Sequence, residues 1–575
     1  MKIKKFIDYD RIDGFDIYQS AVIGYNKLDK DKIQELLSDY NKFITPEKYI
    51  DMMTKLICGQ EFVKFIESLD KEKDIICVIG DYDCDGIFAT VIMVYGLMLC
   101  GFNVIFTISD RFEDGYGMHN KQVDIGLSNG ATVFITVDNG ITANDVIDYI
   151  HSKGAKCVVT DHHTPQGENK ADLCIDPLYN DDEFKGISGA CVAFKLIYEL
   201  QKKYNFDVKI LKDFLCLAYI TTYSDQMPIL GENRWLVQAG ERYFNNSLGI
   251  DETVGGDGFI TRLADMLDFY SQEYNTDNVL MLMASYKQLS KSTADFDLIP
   301  KINAINRVLG DVTDLPYDIM CLFSSEYSGI PHFYSGINQK RKYMKTELLN
   351  KHKKVDGRKA IVECLQPDLW DDNYSGIAGL VASEAVEAEN IPALIGVDRV
   401  GTTDDSIMTF SGRTPAGFNL FNALTEIKAE HPDLHLNFGG HAEALGASCL
   451  KKEIPLLEQY LGEKFELIPQ EDVEVVYFEV TDYSKMLDTF GSLWPFGNGF
   501  EFPKLHIKSK IDNLDFHKLF LSDSRLKNVP IQYYFKEDDT KLHVLQTKNV
   551  EVEFILSFSY DDWGNAILKL DKILS

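Results

Sequence analysis

Five side chains have the types that bind hard divalent cations: Asp83, Asp85, Asp138, His162 and Asp225. Asp83 and Asp85 stand two apart in GDYDCDG, with Asp81 a possible further ligand. Asp138 opens DNGI, and His162 lies in DHHTP. Four carboxylates and an imidazole form a mixed O/N set that suits Mn²⁺ or Mg²⁺ better than zinc, because no thiolate ligand pattern accompanies them. Two such ions roughly 4 Å apart can activate water and neutralise charge on a phosphoryl group undergoing in-line displacement. Asp138 could bridge them, and His163 is placed to contact a phosphate or to protonate a leaving oxygen. Each residue also has a structural reading. An Asp at the end of a strand is often a helix N-cap, and Asp85 precedes a predicted helix. Two adjacent histidines are usually not a ligand pair.

The elements that must position these residues are legible in the hydropathy. Ile75–Ile79 leads into GDYDCDG, Val104–Ile108 into SDRFEDGYG, Val133–Val137 into DNGI, Cys157–Thr160 into DHHTP, and Leu173–Ile175 into DPLYN. Strand runs alternating with helical stretches predict an α/β fold with a doubly wound parallel sheet. Ligand sites in such sheets form at the carboxyl ends of the strands, where every polar cluster falls. Around this unit, residues 1–70 read as a helical N-terminal region, 71–240 as the catalytic unit and 241–355 as a helical connector. A second, smaller α/β unit is expected over 356–470. Period-two alternation from about 471 to 575 predicts a C-terminal β barrel or sandwich. Within these regions, LDKDKIQELLSDY reads as a helix and KLHVLQT as a strand.

Composition bounds the function. The apolar run VIMVYGLMLCGFNVIF is broken by Gly101-Phe102-Asn103, so it reads as a buried helix followed by a strand and not as a membrane span. The start lacks the apolar core of a secretory signal. Eleven cysteines without a C-x-x-C pair argue against a zinc ribbon or a disulfide framework and fit reduced thiols in a cytoplasm. The formal net charge of −31 opposes nucleic-acid binding at long range unless the cations are gathered in one groove. Gln339–Ala360, QKRKYMKTELLNKHKKVDGRKA, is the basic exception, with Tyr343 and His352 as possible stacking surfaces. Its alternative is a solvated helix face with pairs such as Glu347–Lys351.

At DYDCDG, VDNG and TDHHTP the chain resembles the DHH phosphoesterase family. RFEDGYG, SGACVAFKL and PKINAINRVLG resemble segments of its RecJ branch of single-stranded-DNA-specific exonucleases. TFSGRTPAGFNLFNAL and FGGHAEALG resemble the DHH-associated domain, and PFGNGFEFP the junction to an OB-like β domain. The resemblance implies that Asp83, Asp85, Asp138, His162 and Asp225 are metal ligands, with Asp138 bridging. It implies catalytic roles for Asp138, Asp161 and His163. Substrate contacts are implied for Arg111, Arg307, Ser383, Arg413, Gly439, Gly440 and His441. Backbone N–H groups at glycines and bidentate arginines suit phosphate.

Three departures stand out. Ile79 occupies a position where many relatives have a ligating His. Glu384 follows Ala382-Ser383 where the branch often has Arg, and a carboxylate there would repel phosphate. Asn306 replaces a glycine.

The resemblance implies hydrolysis of single-stranded DNA in the 5′→3′ direction, releasing 5′-mononucleotides in DNA repair and recombination, with two Mn²⁺ or Mg²⁺ ions. It also implies a single-strand binding protein or helicase as partner; a monomer without membrane attachment is expected. A DHH hydrolase of small nucleotides or oligoribonucleotides, and a non-catalytic DNA-binding scaffold, are the alternatives.

Overall fold

The computed structural model describes residues 17–26, 44–246, 263, 266, 294–323, 332–467 and most of 477–573, apart from single positions and short gaps within these ranges, Tyr116 and His441 among them. The helix expected in LDKDKIQELLSDY and the strand expected in KLHVLQT lie outside the described residues.

The first sheet consists of β1 (Ile75–Gly80), β2 (Asn103–Ile108), β3 (Val133–Val137), β4 (Lys156–Thr160) and β5 (Leu173–Ile175). Their order is β2-β1-β3-β4-β5 and every pairing is parallel. Alternate residues face two cores. Ile76, Val78, Ile135 and Val158 pack with the helices Cys84–Leu99 and Gly189–Tyr204 on one face. Cys77, Ile79, Phe134, Cys157 and Val159 pack with Val123, Ile147 and Ile150 on the other. Burial on both faces explains why these strands are continuous apolar runs. The run VIMVYGLMLCGFNVIF is indeed a buried helix and a strand, separated at Gly101 (φ 86°). No described helix is long and apolar enough to cross a membrane.

Helices follow this sheet in Gly189–Tyr204, Lys209–Ser224 and Glu232–Asn246, then in Ile299–Leu309, Asp314–Cys321 and Ile337–Lys351. The second sheet contains β6 (Ile361–Leu365), β7 (Ala393–Val397), β8 (Ile407–Arg413), β9 (Asn437–Gly440) and β10 (Ala444–Leu450). Its order is β6-β7-β8-β10-β9, and only β6 and β7 are parallel. The helix Ala378–Glu389 crosses between those two strands and packs on β7 and β8.

The C-terminal strands are β11 (Tyr477–Phe478), β12 (Lys504–Asp515), β13 (Lys518–Leu521), β14 (Ile531–Gln532), β15 (Glu551–Tyr560) and β16 (Ala566–Ile573). They run β12-β13-β14-β16-β15, and β15 pairs back onto β12, closing a five-stranded, OB-like barrel. Tyr18 and Val22, from the helix Ile17–Tyr25, join this barrel's core. Buried Arg234 ties the barrel unit to the first one, donating to the carbonyls of Leu493 and Pro495 at 2.7 Å each.

Candidate metal centre

The carboxyl ends of β1, β3 and β4 carry the acidic and imidazole residues into one place. Asp83 caps the helix Cys84–Leu99, accepting from the amides of Asp85 and Gly86. The cap is therefore Asp83, not Asp85. Asp85 lies inside the first turn and reaches across to the next helix, where the amides of Gly189 and Ala190 donate to its carboxylate at 2.6 and 2.9 Å. A helix N-terminus thus favours the ionised form of this carboxylate, against the burial that opposes it.

Asp138, immediately after β3, has a φ of 60°. This left-handed geometry is uncommon for a residue other than glycine and stores strain where a side chain must be aimed. The following turn sustains it. Asn139 donates to the carbonyls of Ile79 and Val137, and Thr136 Oγ1 donates to the carbonyl of Asn139. Gly140 (φ 106°) is required, since a Cβ there would lie 2.7 Å from Thr136 Oγ1.

His162 sits among three carboxylates. Its Nε2 is 3.0 Å from Asp138 Oδ1, 3.3 Å from Asp225 Oδ2 and 3.6 Å from Asp85 Oδ2. Asp225 arrives from the end of the helix Lys209–Ser224. Asp161 does not face these atoms. It accepts from the amides of Ile141, His162 and His163 and from His163 Nδ1 at 2.8 Å, so it orients His163. Burial pushes Asp161 up, but the hydrogen bond and charge of His163 outweigh it and hold the carboxyl below its usual range.

Three groups of ligand atoms each lie within 4.8 Å of one another: Asp138, His162 and His163; Asp85, Asp138, His162 and Asp225; and Asp81, Asp83 and Asp138. Asp138 belongs to all three, as a bridging ligand would. Asp81 joins the third group, where Ile79 is instead buried in the apolar core. Asp81 Oδ1, Asp138 Oδ1 and His162 Nε2 are buried without a well-formed hydrogen bond. Burial first, and then neighbouring carboxylates, push Asp81, Asp85 and Asp138 well above the usual range. Such a cluster cannot ionise together without a counter-charge. Divalent cations supply that charge and satisfy the orphaned atoms, so these residues fit a metal pair.

Two asparagines brace the cluster: Asn306, marked in the sequence only as standing in place of a glycine, and Asn303, which sequence reasoning did not single out. Asn303 Oδ1 accepts from the amide of Cys84, and Asn306 Nδ2 donates to the carbonyl of Tyr82 at 2.7 Å. Asn306 Oδ1 also accepts from Arg111, whose guanidinium lies 4.9 Å above the Tyr82 ring. The only available signal was their spacing of three on one predicted helix. Arg307 donates to the carbonyl of Gly376 at 3.3 Å. Arg413 Nη2 lies 3.1 Å from where a Cβ on Gly379 would be. Ser383 is exposed one turn further along that helix, and its hydroxyl donates to the Gly379 carbonyl. Gly439 and Gly440 end β9 in an exposed position, and His441 lies outside the described residues.

The basic stretch departs from each reading in one residue pair or ring. His352 is not a stacking surface, because Glu363 and Glu389 hold its two ring nitrogens at 2.8 and 2.7 Å. Lys351 pairs with Asp368, and Glu347 accepts from Tyr374 and the Asp368 amide, so the pair Glu347–Lys351 is not formed. Tyr343 is 64% exposed and free to stack.

A parallel sheet whose carboxyl edge gathers aspartates and a His-His pair defines a metal-dependent phosphoesterase domain, and residues 75–222 match the model of the DHH family, N-terminal domain. Over most of its length the chain is similar to RecJ proteins. It is 27% identical over 422 residues to the single-stranded-DNA-specific exonuclease RecJ of Escherichia coli, covering 70% of this chain and 68% of that one. With the RecJ of Bacillus subtilis it shares 27% identity, covering 75% of this chain and 52% of the longer relative. Its fold is similar to that of Thermus thermophilus RecJ, solved in complex with Mn²⁺, with a TM-score of 0.70 at 21% identity, covering 97% of this chain and 76% of that one.

Proposed function

We propose that this protein is a divalent-metal-dependent exonuclease that hydrolyses single-stranded DNA from the 5′ end and releases 5′-mononucleotides. The observation that carries this reading is the cluster of buried Asp81, Asp85, Asp138 and His162 with half-buried Asp83 and Asp225 on the sheet's carboxyl edge. The relatives named single-stranded-DNA-specific exonuclease support the substrate, and a RecJ solved with Mn²⁺ and with Mg²⁺ supports the choice of metal. Bound in this cluster, the ions would activate water and neutralise charge on the scissile phosphate. The carboxylates would hold them, and Asp161 fixes the ring of His163 through Nδ1. That contact leaves His163 Nε2 as the atom to contact the phosphate or to donate a proton to the leaving 3′ oxygen. Arg111, Arg307 and Arg413 grip phosphate, and the barrel holds the incoming strand. The protein acts as a monomer in DNA repair and recombination in the cytoplasm, which suits its eleven free thiols, and it works beside a helicase or a single-strand binding protein.

The test uses single-stranded DNA labelled at either end, incubated with Mn²⁺ or Mg²⁺. Immediate release of labelled mononucleotide from the 5′-labelled strand, absent in Asp138→Asn, is expected. Degradation of blunt duplex at the same rate, or turnover of dinucleotides alone, would overturn the reading.

A further inference from the structure

Four of the nine lysines and arginines in the basic stretch are engaged by carboxylates of the second α/β unit. Lys345 pairs with Glu384 at 2.6 Å, and Arg358 with Glu458 at 2.6 Å. Lys359 pairs with Glu466 at 3.1 Å, and Lys351 with Asp368. These contacts dock the helix Ile337–Lys351 and the segment after it onto that unit.

Arg341 differs. Its Nε donates to Asn338 Oδ1 at 2.9 Å on its own helix, and among the described residues no carboxylate pairs with it. It is half-buried, and its helix packs against the helix Ile299–Leu309, which carries Arg307. Arg111, Arg307 and Arg413 also lack a carboxylate salt bridge among the described residues; they are anchored by Asn306 Oδ1 and the Tyr82 ring and by the carbonyls of Gly376 and Gly412. The site is built from both units. Phe112, next to Arg111, lies within 2.4 Å of where a Cβ on Gly310 would be and 3.1 Å of where one on Gly376 would be. Burial, followed by the charges of Arg111, Arg413 and Arg341, lowers Arg307 to about 9. Converging guanidiniums with no carboxylate in salt-bridge contact match an oxyanion that is bound bidentately.

We propose that Arg341 is a substrate-binding residue. Its guanidinium joins Arg111, Arg307 and Arg413 around a phosphate of the strand other than the scissile one, and Lys345, one turn on, pairs with Glu384 and cancels the charge that would repel that phosphate. The inference rests on the single-strand reading above. It also explains how Glu384 is tolerated, since the cation absent from Ala382-Ser383-Glu384 is returned from another helix.

The test measures binding of a fluorescent oligothymidylate to the Asp138→Asn protein with Mg²⁺ across a range of KCl concentrations. Each phosphate contact to a single strand contributes about −0.7 to the slope of log K against log salt. Arg341→Ala is expected to weaken binding and make the slope shallower by about 0.7, while Arg341→Lys keeps the slope. Lys345→Ala is expected to weaken binding, and adding Glu384→Gln to restore it. An unchanged slope in Arg341→Ala would assign Arg341 a packing role and overturn the proposal. No binding by the parent protein would overturn the single-strand reading, and this proposal with it.

Discussion

The α-carbon of Gly189 faces the carboxylate of Asp138 so closely that a Cβ there would lie 2.7 Å from Asp138 Cβ and 2.8 Å from Oδ1. The same residue's amide donates to Asp85. A single glycine at the start of one helix therefore sets the spacing of two candidate metal ligands that are far apart in sequence. Gly189→Ala is expected to cost about 1–3 kcal/mol of stability through overpacking. Hydrolysis should fall further than the folded fraction does. A circular-dichroism melt beside a nuclease assay separates the two, and normal activity per folded molecule would refute the spacing role.

Removal of metal should abolish hydrolysis reversibly. With chelator the protein is expected to be folded but inactive, and Mn²⁺ should restore activity. Metal at a hundred times its Kd should raise stability by about 2.7 kcal/mol. Differential scanning calorimetry with and without Mn²⁺ checks this, and identical melts would count against a metal pair in this cluster.

Asp138→Asn removes a candidate bridging ligand and one of several repelling buried carboxylates, while asparagine tolerates the left-handed backbone at φ 60°. The metal-free variant should melt above the metal-free wild type, yet lose hydrolysis and its Mn²⁺-induced stabilisation. A lower metal-free melting temperature would show that Asp138 serves structure first.

Asp161→Asn keeps the size of the side chain but loses the charge that orients His163 across 2.8 Å. A loss of roughly 10–100-fold in metal affinity or activity is expected, as for other residues that orient ligands. Titration calorimetry with Mn²⁺ measures it, and unchanged affinity and rate would refute the orienting role.

His352 should make the second α/β unit pH-sensitive. The hydrogen bond to Glu363 raises its pKa, burial opposes this, and the bond to Glu389 raises it further. The folded pKa therefore lies above the unfolded one. The stabilisation is fully present below the unfolded value, near 6.5, and is lost as pH rises through the folded value. His352→Gln is expected to destabilise by on the order of 1 kcal/mol at pH 6 and by less at pH 9. A gap between the two melting curves that does not narrow with pH would refute this.

The strands and their order of appearance were legible because parallel strands buried on both faces must be continuous apolar runs. The acidic loops were legible because they end those runs. Asp83, Asp85, Asp138, His162 and Asp225 could be named from residue type and position alone. Local sequence could not show that Asp85 is drawn across to another helix, because that depends on where the amides of Gly189 and Ala190 arrive, about a hundred residues on. Nor could it show that the second sheet is mixed, since a strand's direction is set by the path of its connections.

Sequence by itself determined the chemical types at the site, the two-faced burial of the first sheet and the excess of acid over base. Tertiary structure decided which charges are neutralised and by whom. Asp161 turns away to hold His163, His352 is enclosed by Glu363 and Glu389, and Lys345 cancels Glu384. Arg341 is left beside three other arginines. The physical reason is that the effect of a charge depends on distances of a few ångströms and on burial, and residues remote in the chain set both.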